Sequence, residues 1–267
     1  MQNTAVNNID WIFFDIGNVV FYDLPLLARI WKHFYLTLKN QGFSLSYGEM
    51  LDEREKILLH HPPEDNPRKL IAQQHAPHIP GDIMQQAYDY LHLYPGANVP
   101  LPGVVPVLDA LSRSYNLGVI ANQPMIVTDE LDQHDLTKYF RGMIISEDVG
   151  LPKPDIRIFE HALAKTGAEP SRCLMVGDRI DNDIRPAKRC GMRTVWLDND
   201  YRKMPYAPAD DYERLYIKSY LRISGVDQRF GSDDAPDVVI ASLGELPAAV
   251  DNISRTVIRR TTMEVLA

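Results

Sequence analysis

The sequence predicts an α/β fold, a doubly wound parallel sheet into which a helical subdomain is inserted. Apolar runs of about four residues recur along the chain without alternating with polar residues, which is typical of strands buried on both faces. Apolar stripes at helical spacing lie between these runs, and strands that alternate with helices predict parallel βαβ units. Residues 23–96 break this alternation, because they show helical periodicity alone.

Each predicted strand stops at a small or polar residue. The apolar runs comprise residues 11–14, 117–120, 143–145, 173–176, 194–197 and 238–240. Ligands of open α/β sheets bind beyond the carboxyl ends of the strands. We therefore expect the site among the residues that follow these runs, such as Asp15, Asn122 and Asp178.

The helices between the strands have recognisable ends. Residues 104–111 carry apolar side chains at helical spacing directly after Pro102 and Gly103. Residues 158–163 form a second apolar stripe, and Gly167 is placed to end that helix. These stripes predict amphipathic helices between the strands.

The inserted subdomain is predicted to be a helical cap. Ser46 and Glu49 form a capping box that opens one of its helices. The return linker, residues 94–103, is rich in proline and glycine and suits a semi-rigid hinge. The predicted domains are therefore a core of residues 1–22 and 97–267 and a cap of residues 23–96.

Residues 199–236 are long for a connection between the last two strands. The simpler interpretation is a surface excursion with one short helix around residues 211–220. The alternative is a dimerisation or substrate-shaping element. The sequence leaves both open, and with them the choice between a monomer and a homodimer.

Composition and charge limit the classes of function. The net charge of −8 excludes a general nucleic-acid binder, because no basic excess is available to neutralise phosphates. No apolar run approaches the ~20 residues of a membrane span, and the polar segment from Met1 to Asp10 predicts no secretion. Two cysteines, Cys173 and Cys190, lack paired spacing and suit a reducing compartment. We therefore expect a cytoplasmic protein.

Three aspartates are the candidates for a metal site. Asp15 follows the first predicted strand, and Asp178 and Asp183 follow the fourth. Carboxylates gathered at one sheet edge repel each other and have raised pKa values unless a counter-charge is present. Mg²⁺ resolves this repulsion, because it prefers oxygen ligands and usually keeps waters and a phosphate oxygen. The competing interpretation of Asp178 and Asp183 is helix capping, which aspartate also favours.

Four segments stand in a specific order and spacing along the chain, namely residues 13–20, 119–123, 151–155 and 176–183. On these motifs most of the chain resembles the haloacid dehalogenase-like (HAD-like) hydrolase superfamily, in particular its phosphatase branch with a helical cap. The four motifs together are highly specific, whereas any one alone is weak. The resemblance implies a Rossmann-like core and a Mg²⁺-dependent phosphomonoesterase that acts on a small phosphorylated metabolite.

The resemblance also implies roles for individual residues. Asp15 is the expected nucleophile, whose carboxylate attacks phosphorus and forms an aspartyl-phosphate that water then hydrolyses. Lys153 neutralises the phosphoryl oxygens, and Asn122 donates its side-chain amide to them. Backbone amides after the nucleophile, with Asn18 among these residues, add further donors to the phosphoryl group. The expected metal ligands are Asp15, the backbone carbonyl of Gly17, Asp178 and Asp183.

Two positions depart from the family pattern. Phosphatases of the family usually carry a second aspartate, the general acid and base, where this chain has Gly17, so the metal-binding carbonyl is kept and the carboxyl is lost. A general acid typically contributes ~10²–10⁴-fold in rate. A cap residue, a water or a good leaving group would have to substitute, with Tyr22 and Asp23 as candidates. Ala121 stands where a Ser or Thr hydroxyl usually bonds the phosphate, which removes a further donor.

These departures leave three hypotheses. The first is the Mg²⁺-dependent phosphatase, with the cap choosing the substrate. The second is a catalytically weakened or inactive HAD-like protein that binds a phosphorylated ligand or partner. The third is a 2-haloacid dehalogenase, a class that also lacks the second aspartate; it needs no metal and leaves the acidic loop at Asp178 unexplained.

Overall fold

The computed structural model describes residues 9–62, 65–203, 206–223, 230–231 and 234–254. The chain forms two compact units. The first unit takes residues 1–22, 99–200 and 227–267, and the second takes residues 23–98 and 201–226. We call them the sheet unit and the helical unit.

A six-stranded parallel sheet forms the centre of the sheet unit within the described residues. In chain order its strands are β1 (Trp11–Phe14), β4 (Asn116–Ala121), β5 (Phe140–Ile145), β6 (Cys173–Gly177), β7 (Arg193–Leu197) and β8 (Val238–Ile240). They lie in the order β5-β4-β1-β6-β7-β8, so the order reverses around β1. This doubly wound arrangement confirms the predicted fold class, and all six predicted apolar runs are strands.

The register of the sheet gathers three strand ends at one edge. Phe14, the last residue of β1, pairs with Val119 of β4 on one side and with Val176 of β6 on the other. The residues that follow β1, β4 and β6 therefore lie side by side. They include Asp15, Asn122 and Asp178.

A short antiparallel ribbon follows β1 in the sheet unit. It pairs β2 (Phe21–Tyr22) with β3 (Val99–Pro100). The sequence analysis assigned Pro100 to a linker, because strands of two residues carry no readable periodicity.

The helices of the sheet unit are α5 (Val104–Ser112), α6 (Val127–Gln133), α7 (Ser146–Val149), α8 (Ile156–Thr166) and α9 (Arg185–Arg189). The stop predicted for α8 is confirmed, because Gly167 follows it at φ 63°, a left-handed conformation that glycine adopts without strain. Asp155 caps the start of α8 by accepting a hydrogen bond from the backbone N–H of Arg157 at 3.0 Å. The helix thus begins three residues after Lys153.

The helical unit contains α1 (Leu24–Lys39), α2 (Tyr47–His60), α3 (Pro67–His75), α4 (Gly81–Tyr88) and α10 (Asp211–Ile223). The predicted capping box is present at the start of α2, where the Ser46 N–H donates to the Glu49 carboxylate at 2.7 Å. The apolar face of α1 is buried, with Phe34 and Leu38 both fully inaccessible to solvent.

One segment differs from the sequence analysis, which placed residues 201–226 in the core and preferred a surface excursion. The described part of this segment contains α10, which packs against α1 and α2. Tyr216 of α10 is 1% exposed, and its ring stacks on Trp31 with the centroids 6.5 Å apart. Tyr216 is therefore part of the packed interior of the helical unit, whereas Tyr206, Tyr212 and Tyr220 are half-buried. Among the described residues, no helix has the length and apolar content that a membrane crossing requires.

Candidate active site

A tight turn follows β1 and holds Asp15 at the strand end. The Asp15 N–H donates to the Val176 carbonyl at 2.9 Å, which extends the pairing of β1 with β6 by one residue. The Ile16 carbonyl then accepts hydrogen bonds from the N–H groups of three residues of the turn, Val19, Val20 and Phe21. Asn18 has a positive φ of 53°, which asparagine tolerates better than most residues. The turn therefore reverses the chain directly after Asp15.

A second turn brings Asp183 back over the end of β6. Residues Ile180–Ile184 form a π-helical turn, and the Arg179 N–H donates to Asp183 Oδ2 at 3.1 Å. A Cβ at Gly177 would lie only 2.3 Å from Asp183 Cβ, so glycine is required for this close approach. The spacing of Gly177, Asp178 and Asp183 thus reflects one folded loop.

The two turns bring the three predicted aspartates together. One carboxylate oxygen from each of Asp15, Asp178 and Asp183 lies within 4.8 Å of the other two. The three residues are 9%, 5% and 0% exposed, respectively. They therefore form a mostly buried acidic cluster whose open side is at Asp15.

Lys153 provides the positive charge of the cluster. Its side chain is fully buried, and its Nζ lies 2.8 Å from Asp15 Oδ1 and 2.6 Å from Asp183 Oδ1. Burial alone would lower the pKa of Lys153, but attraction to the Asp15 and Asp183 carboxylates outweighs it and raises that pKa above its ordinary value. The ammonium therefore stays charged between the two carboxylates.

For Asp183, the effect of burial on the pKa outweighs the attraction to Lys153. Burial raises the pKa of Asp183 to about 6; the nearby Asp15 charge acts in the same direction, and Lys153 opposes both. Three carboxylates against one ammonium leave an excess of two negative charges in this buried place. The arrangement suits a divalent cation with oxygen ligands, because such an ion cancels the excess.

The Asn122 side-chain amide bonds the backbone of Lys153. Its Nδ2 donates to the Lys153 carbonyl at 2.8 Å, and its Oδ1 accepts from the Lys153 N–H at 2.7 Å. The phosphoryl contact of this amide stays a prediction. In the structure the amide joins the end of β4 to residues 151–155, which carry Lys153 and which we call the lysine loop.

The remaining predicted positions lie in the same region. Gly17 is buried and forms an isolated bridge with Phe21, and Ala121 is fully buried at the last position of β4. The Asn18 carbonyl accepts a hydrogen bond from Asn199 Nδ2 at 2.6 Å. Tyr22 is 3% exposed, and burial raises its pKa to about 12, which makes it a weak proton donor.

Sequence reasoning missed two residues that support the site, Trp196 of β7 and Asn199 just after that strand. Trp196 donates its indole N–H to the Asp178 carbonyl at 3.0 Å, and Asn199 holds the turn after β1. Arg179 forms an ion pair with Asp181, with Nε 3.0 Å from Oδ1. The position of Asn199 shortly after a predicted strand was the available signal, whereas nothing in the sequence pointed to an inward polar role for Trp196.

Comparison with known proteins connects this geometry to one family. The family description of haloacid dehalogenase-like hydrolases matches residues 26–197. A pyrimidine 5'-nucleotidase of Escherichia coli (strain K12), YjjG, is 38% identical over 108 residues, which are 40% of this chain and 48% of that protein. A glyceraldehyde 3-phosphate phosphatase of Pyrococcus furiosus is 31% identical over 155 residues, 55% of this chain and 59% of the relative. The chain spans about half the length of these curated relatives.

Solved structures agree at the level of the fold. The crystal structure of a HAD phosphatase from Thermococcus onnurineus superposes with a TM-score of 0.62, covering 91% of this chain and 98% of that chain. The two sequences are 21% identical, so this likeness shows the fold alone.

Proposed function

The chain belongs to the haloacid dehalogenase-like hydrolase family, and we propose that it is a Mg²⁺-dependent phosphatase of a small phosphorylated metabolite. The observation that carries this proposal is the buried cluster of Asp15, Asp178 and Asp183 around Lys153. The phosphatase names of relatives more than 30% identical to the chain support the same class of reaction. The overlap covers only part of each relative, so the substrate belongs to the proposal as well.

Asp15 is the proposed nucleophile. It is the most exposed of the three aspartates, so its carboxylate is the one that a substrate reaches. One Asp15 oxygen is held by Lys153, and the other attacks phosphorus. The P–O bond to the alcohol breaks as the aspartyl-phosphate forms, and the departing alkoxide takes a proton from water. Hydrolysis of this acyl phosphate by water then restores the carboxylate and releases phosphate.

Lys153 has two proposed tasks. In the free enzyme its ammonium offsets the repulsion between Asp15 and Asp183. When a phosphoryl group arrives at Asp15, the same ammonium is within reach of the phosphoryl oxygens and stabilises their charge in the transition state. Asn122 supports both tasks by fixing the backbone of Lys153.

The proposed Mg²⁺ ligands are Asp15, Asp178, Asp183 and the backbone carbonyl of Gly17. When bound, the cation shields the charge between the nucleophile and the phosphoryl oxygens. Asp183 lies too deep to touch a substrate, since it is fully buried.

We also propose that residues 23–96 act as a cap that selects the substrate.

A hydrolysis assay tests this function. We expect the protein to hydrolyse p-nitrophenyl phosphate with Mg²⁺, to lose this activity with EDTA, and to lose it through Asp15→Asn. Asp181→Asn is the matched control, because Asp181 lies in the same loop but is ion-paired with Arg179 outside the cluster. Activity no higher than that of Asp15→Asn, across a broad panel of phosphate esters with Mg²⁺, would reject the proposal.

A weakened phosphatase that mainly binds a phosphorylated ligand is the second candidate, and Gly17 is the observation that favours it. With no carboxyl at this position and with Tyr22 a weak acid, protonation of a poor leaving group is slow. This candidate predicts that Gly17→Asp raises the rate on alkyl phosphates by ~10²-fold or more, with a smaller gain on aryl phosphates. Native turnover of an alkyl phosphate as fast as that of Gly17→Asp rules it out.

A further inference from the structure

Two guanidinium groups of the helical unit are buried against aromatic rings. Arg54 is 5% exposed. Its Cζ lies 5.5 Å from the Trp31 ring centroid and 4.9 Å from that of Tyr216. Its hydrogen bonds are long, at 3.3 Å to both Tyr216 Oη and Ser219 Oγ. The groups in contact with this guanidinium are therefore neutral hydroxyls and rings, and Glu55 is the carboxylate that acts on it electrostatically.

Arg68 is the second of these groups. Its Cζ lies 5.0 Å from the Tyr90 ring centroid and 5.7 Å from that of Tyr88. Its Nη1 is buried and has no hydrogen-bond partner among the described residues. The backbone N–H of Arg68 at the start of α3 is already bonded to the Asn66 side chain, so the guanidinium is the donor that remains.

Neither Arg54 nor Arg68 forms a close ion pair with a carboxylate of the described residues. The Glu55 carboxylate acts on Arg54 electrostatically, although its ion pair is with Arg222, with Arg222 Nε 3.0 Å from Glu55 Oε2. Arg68 differs, because the groups that act on it electrostatically are the neutral hydroxyls of Tyr88, Tyr90 and Tyr216. Burial lowers the pKa of Arg68, whereas its hydrogen bond to Glu55 raises that of Arg222.

Arg54 and Arg68 both act electrostatically on Tyr216. Both lower the pKa of the buried Tyr216 hydroxyl electrostatically, although burial outweighs them and raises that pKa. Arg54 is held on one side of Tyr216 by α2, and Arg68 is carried by α3, which packs against α2. Their positive potentials therefore add in the same region of the helical unit.

We propose that Arg68, reinforced by Arg54, forms an oxyanion-binding site in the helical unit. The planar guanidinium fork matches a carboxylate or a phosphate, and the aromatic surroundings keep water away and strengthen the attraction. Arg68 as a whole is only half-buried, so part of its side chain is accessible to an anion from the surface. The anion is either a second acidic group of the substrate or a free oxyanion. The substrate form rests on the phosphatase activity proposed above, whereas the site itself does not.

Calorimetry on the full chain tests the site without turnover. Malonate and sulfate are titrated, at constant ionic strength, into the Asp15→Asn protein and into the same protein with Arg68→Gln or Arg68→Lys. We expect Arg68→Gln to weaken binding by roughly tenfold or more, and Arg68→Lys, which keeps the charge but loses the fork, to weaken it less. Arg222→Gln is the matched control in the same unit and keeps the affinity of the parent. Thermal melts show that each variant is folded.

Three results overturn the site. The first is that the parent binds neither anion, and the second is that Arg68→Gln and Arg68→Lys both bind them as tightly as the parent. A loss equal to that of Arg222→Gln has the same meaning, because it reports only a change in overall charge.

Kinetics distinguish the two sources of the anion. KM is measured for a phosphate ester with a carboxylate and for its uncharged analogue, in wild type and Arg68→Gln. If the anion belongs to the substrate, the variant raises KM by roughly tenfold for the carboxylated ester alone and leaves kcat unchanged. If KM is unaltered while malonate binding is lost, the site takes a free oxyanion. A protein that hydrolyses no ester refutes the phosphatase proposal, and calorimetry still decides the site.

Discussion

Replacement of Asn122 by leucine tests whether the lysine loop must be fixed for the chemistry to proceed. The Asn122 side chain makes two hydrogen bonds to the backbone of Lys153, at 2.7 Å and 2.8 Å. Leucine has a similar volume but removes both bonds, and it leaves the Lys153 N–H and carbonyl without these partners. With ~1 kcal/mol for each bond and a further cost for unpaired backbone groups, the free energy of unfolding should fall by ~2–4 kcal/mol.

The effect on rate follows from the position of the ammonium. Lys153 Nζ sits between Asp15 and Asp183 at 2.8 Å and 2.6 Å, so a small shift of its backbone removes one of these contacts. A misplacement of ~1 Å can cost ~10²-fold in rate. We therefore expect kcat for p-nitrophenyl phosphate to fall by ~10–100-fold in Asn122→Leu, measured beside urea denaturation of the same samples.

Asn116→Leu is the control for this prediction. Asn116 lies at the other end of β4 and makes one side-chain hydrogen bond, to the Asp10 carbonyl at 3.2 Å. Its replacement should lower the free energy of unfolding by ~1 kcal/mol and leave kcat unchanged. If Asn122→Leu loses stability but keeps the wild-type kcat, or if both variants lose kcat equally, Asn122 does not position Lys153 and the reasoning is wrong.

Three further perturbations follow from the same contacts. Gly177→Ala places a Cβ 2.3 Å from Asp183 Cβ, so both the melting temperature and Mg²⁺-dependent stabilisation should fall; an unchanged affinity for Mg²⁺ in calorimetry contradicts the close packing of this loop. Lys153→Met leaves the Asp15 and Asp183 carboxylates facing each other and should cost ~3–5 kcal/mol in urea denaturation, less with Mg²⁺ present. Hydrogen bonds from Arg157 lower the pKa of Asp155 to about 2. Because the folded pKa is below the unfolded value of ~3.9, this stabilisation is present above pH ~4 and is lost as pH falls towards 2. Comparing Asp155→Asn with wild type by thermal melts across that window checks it, and a difference independent of pH contradicts it.

The sequence predicted the strands well, because strands buried on both faces must be apolar throughout and the run at residues 173–176 could be read directly. It also predicted that Asp15 and Asp178 meet, since their strands are neighbours in a parallel sheet. The assignment of residues 201–226 differed, because the burial of Tyr216 depends on which helices pack together, and helical periodicity does not encode the partner.

Sequence reasoning also could not predict contacts between a side chain and the backbone of a distant residue, because the hydrophobic pattern does not encode such partners. The bond from Asn122 to the Lys153 backbone joins residues 31 positions apart, and it depends on the path of a loop. Trp196 was interpreted as one of the apolar residues of a strand, yet its indole N–H holds the Asp178 carbonyl. An amphipathic side chain satisfies both roles at once, so its polar contact leaves no mark on the hydrophobic pattern.

The two departures from the family pattern have different consequences for the site. Gly17 removes a carboxyl from a place where three carboxylates already face one ammonium, so its loss lessens the negative charge that a cation must balance. Ala121 is fully buried at the end of β4, where its methyl group packs with the apolar core. The next residue, Asn122, carries the polar contact of this strand end and directs it to Lys153. In the proposed mechanism, binding of cation and phosphate rests on Asp15, Asp178, Asp183 and Lys153, which the structure brings together, whereas the rate of turnover rests on how a proton reaches the leaving group without a carboxyl at position 17.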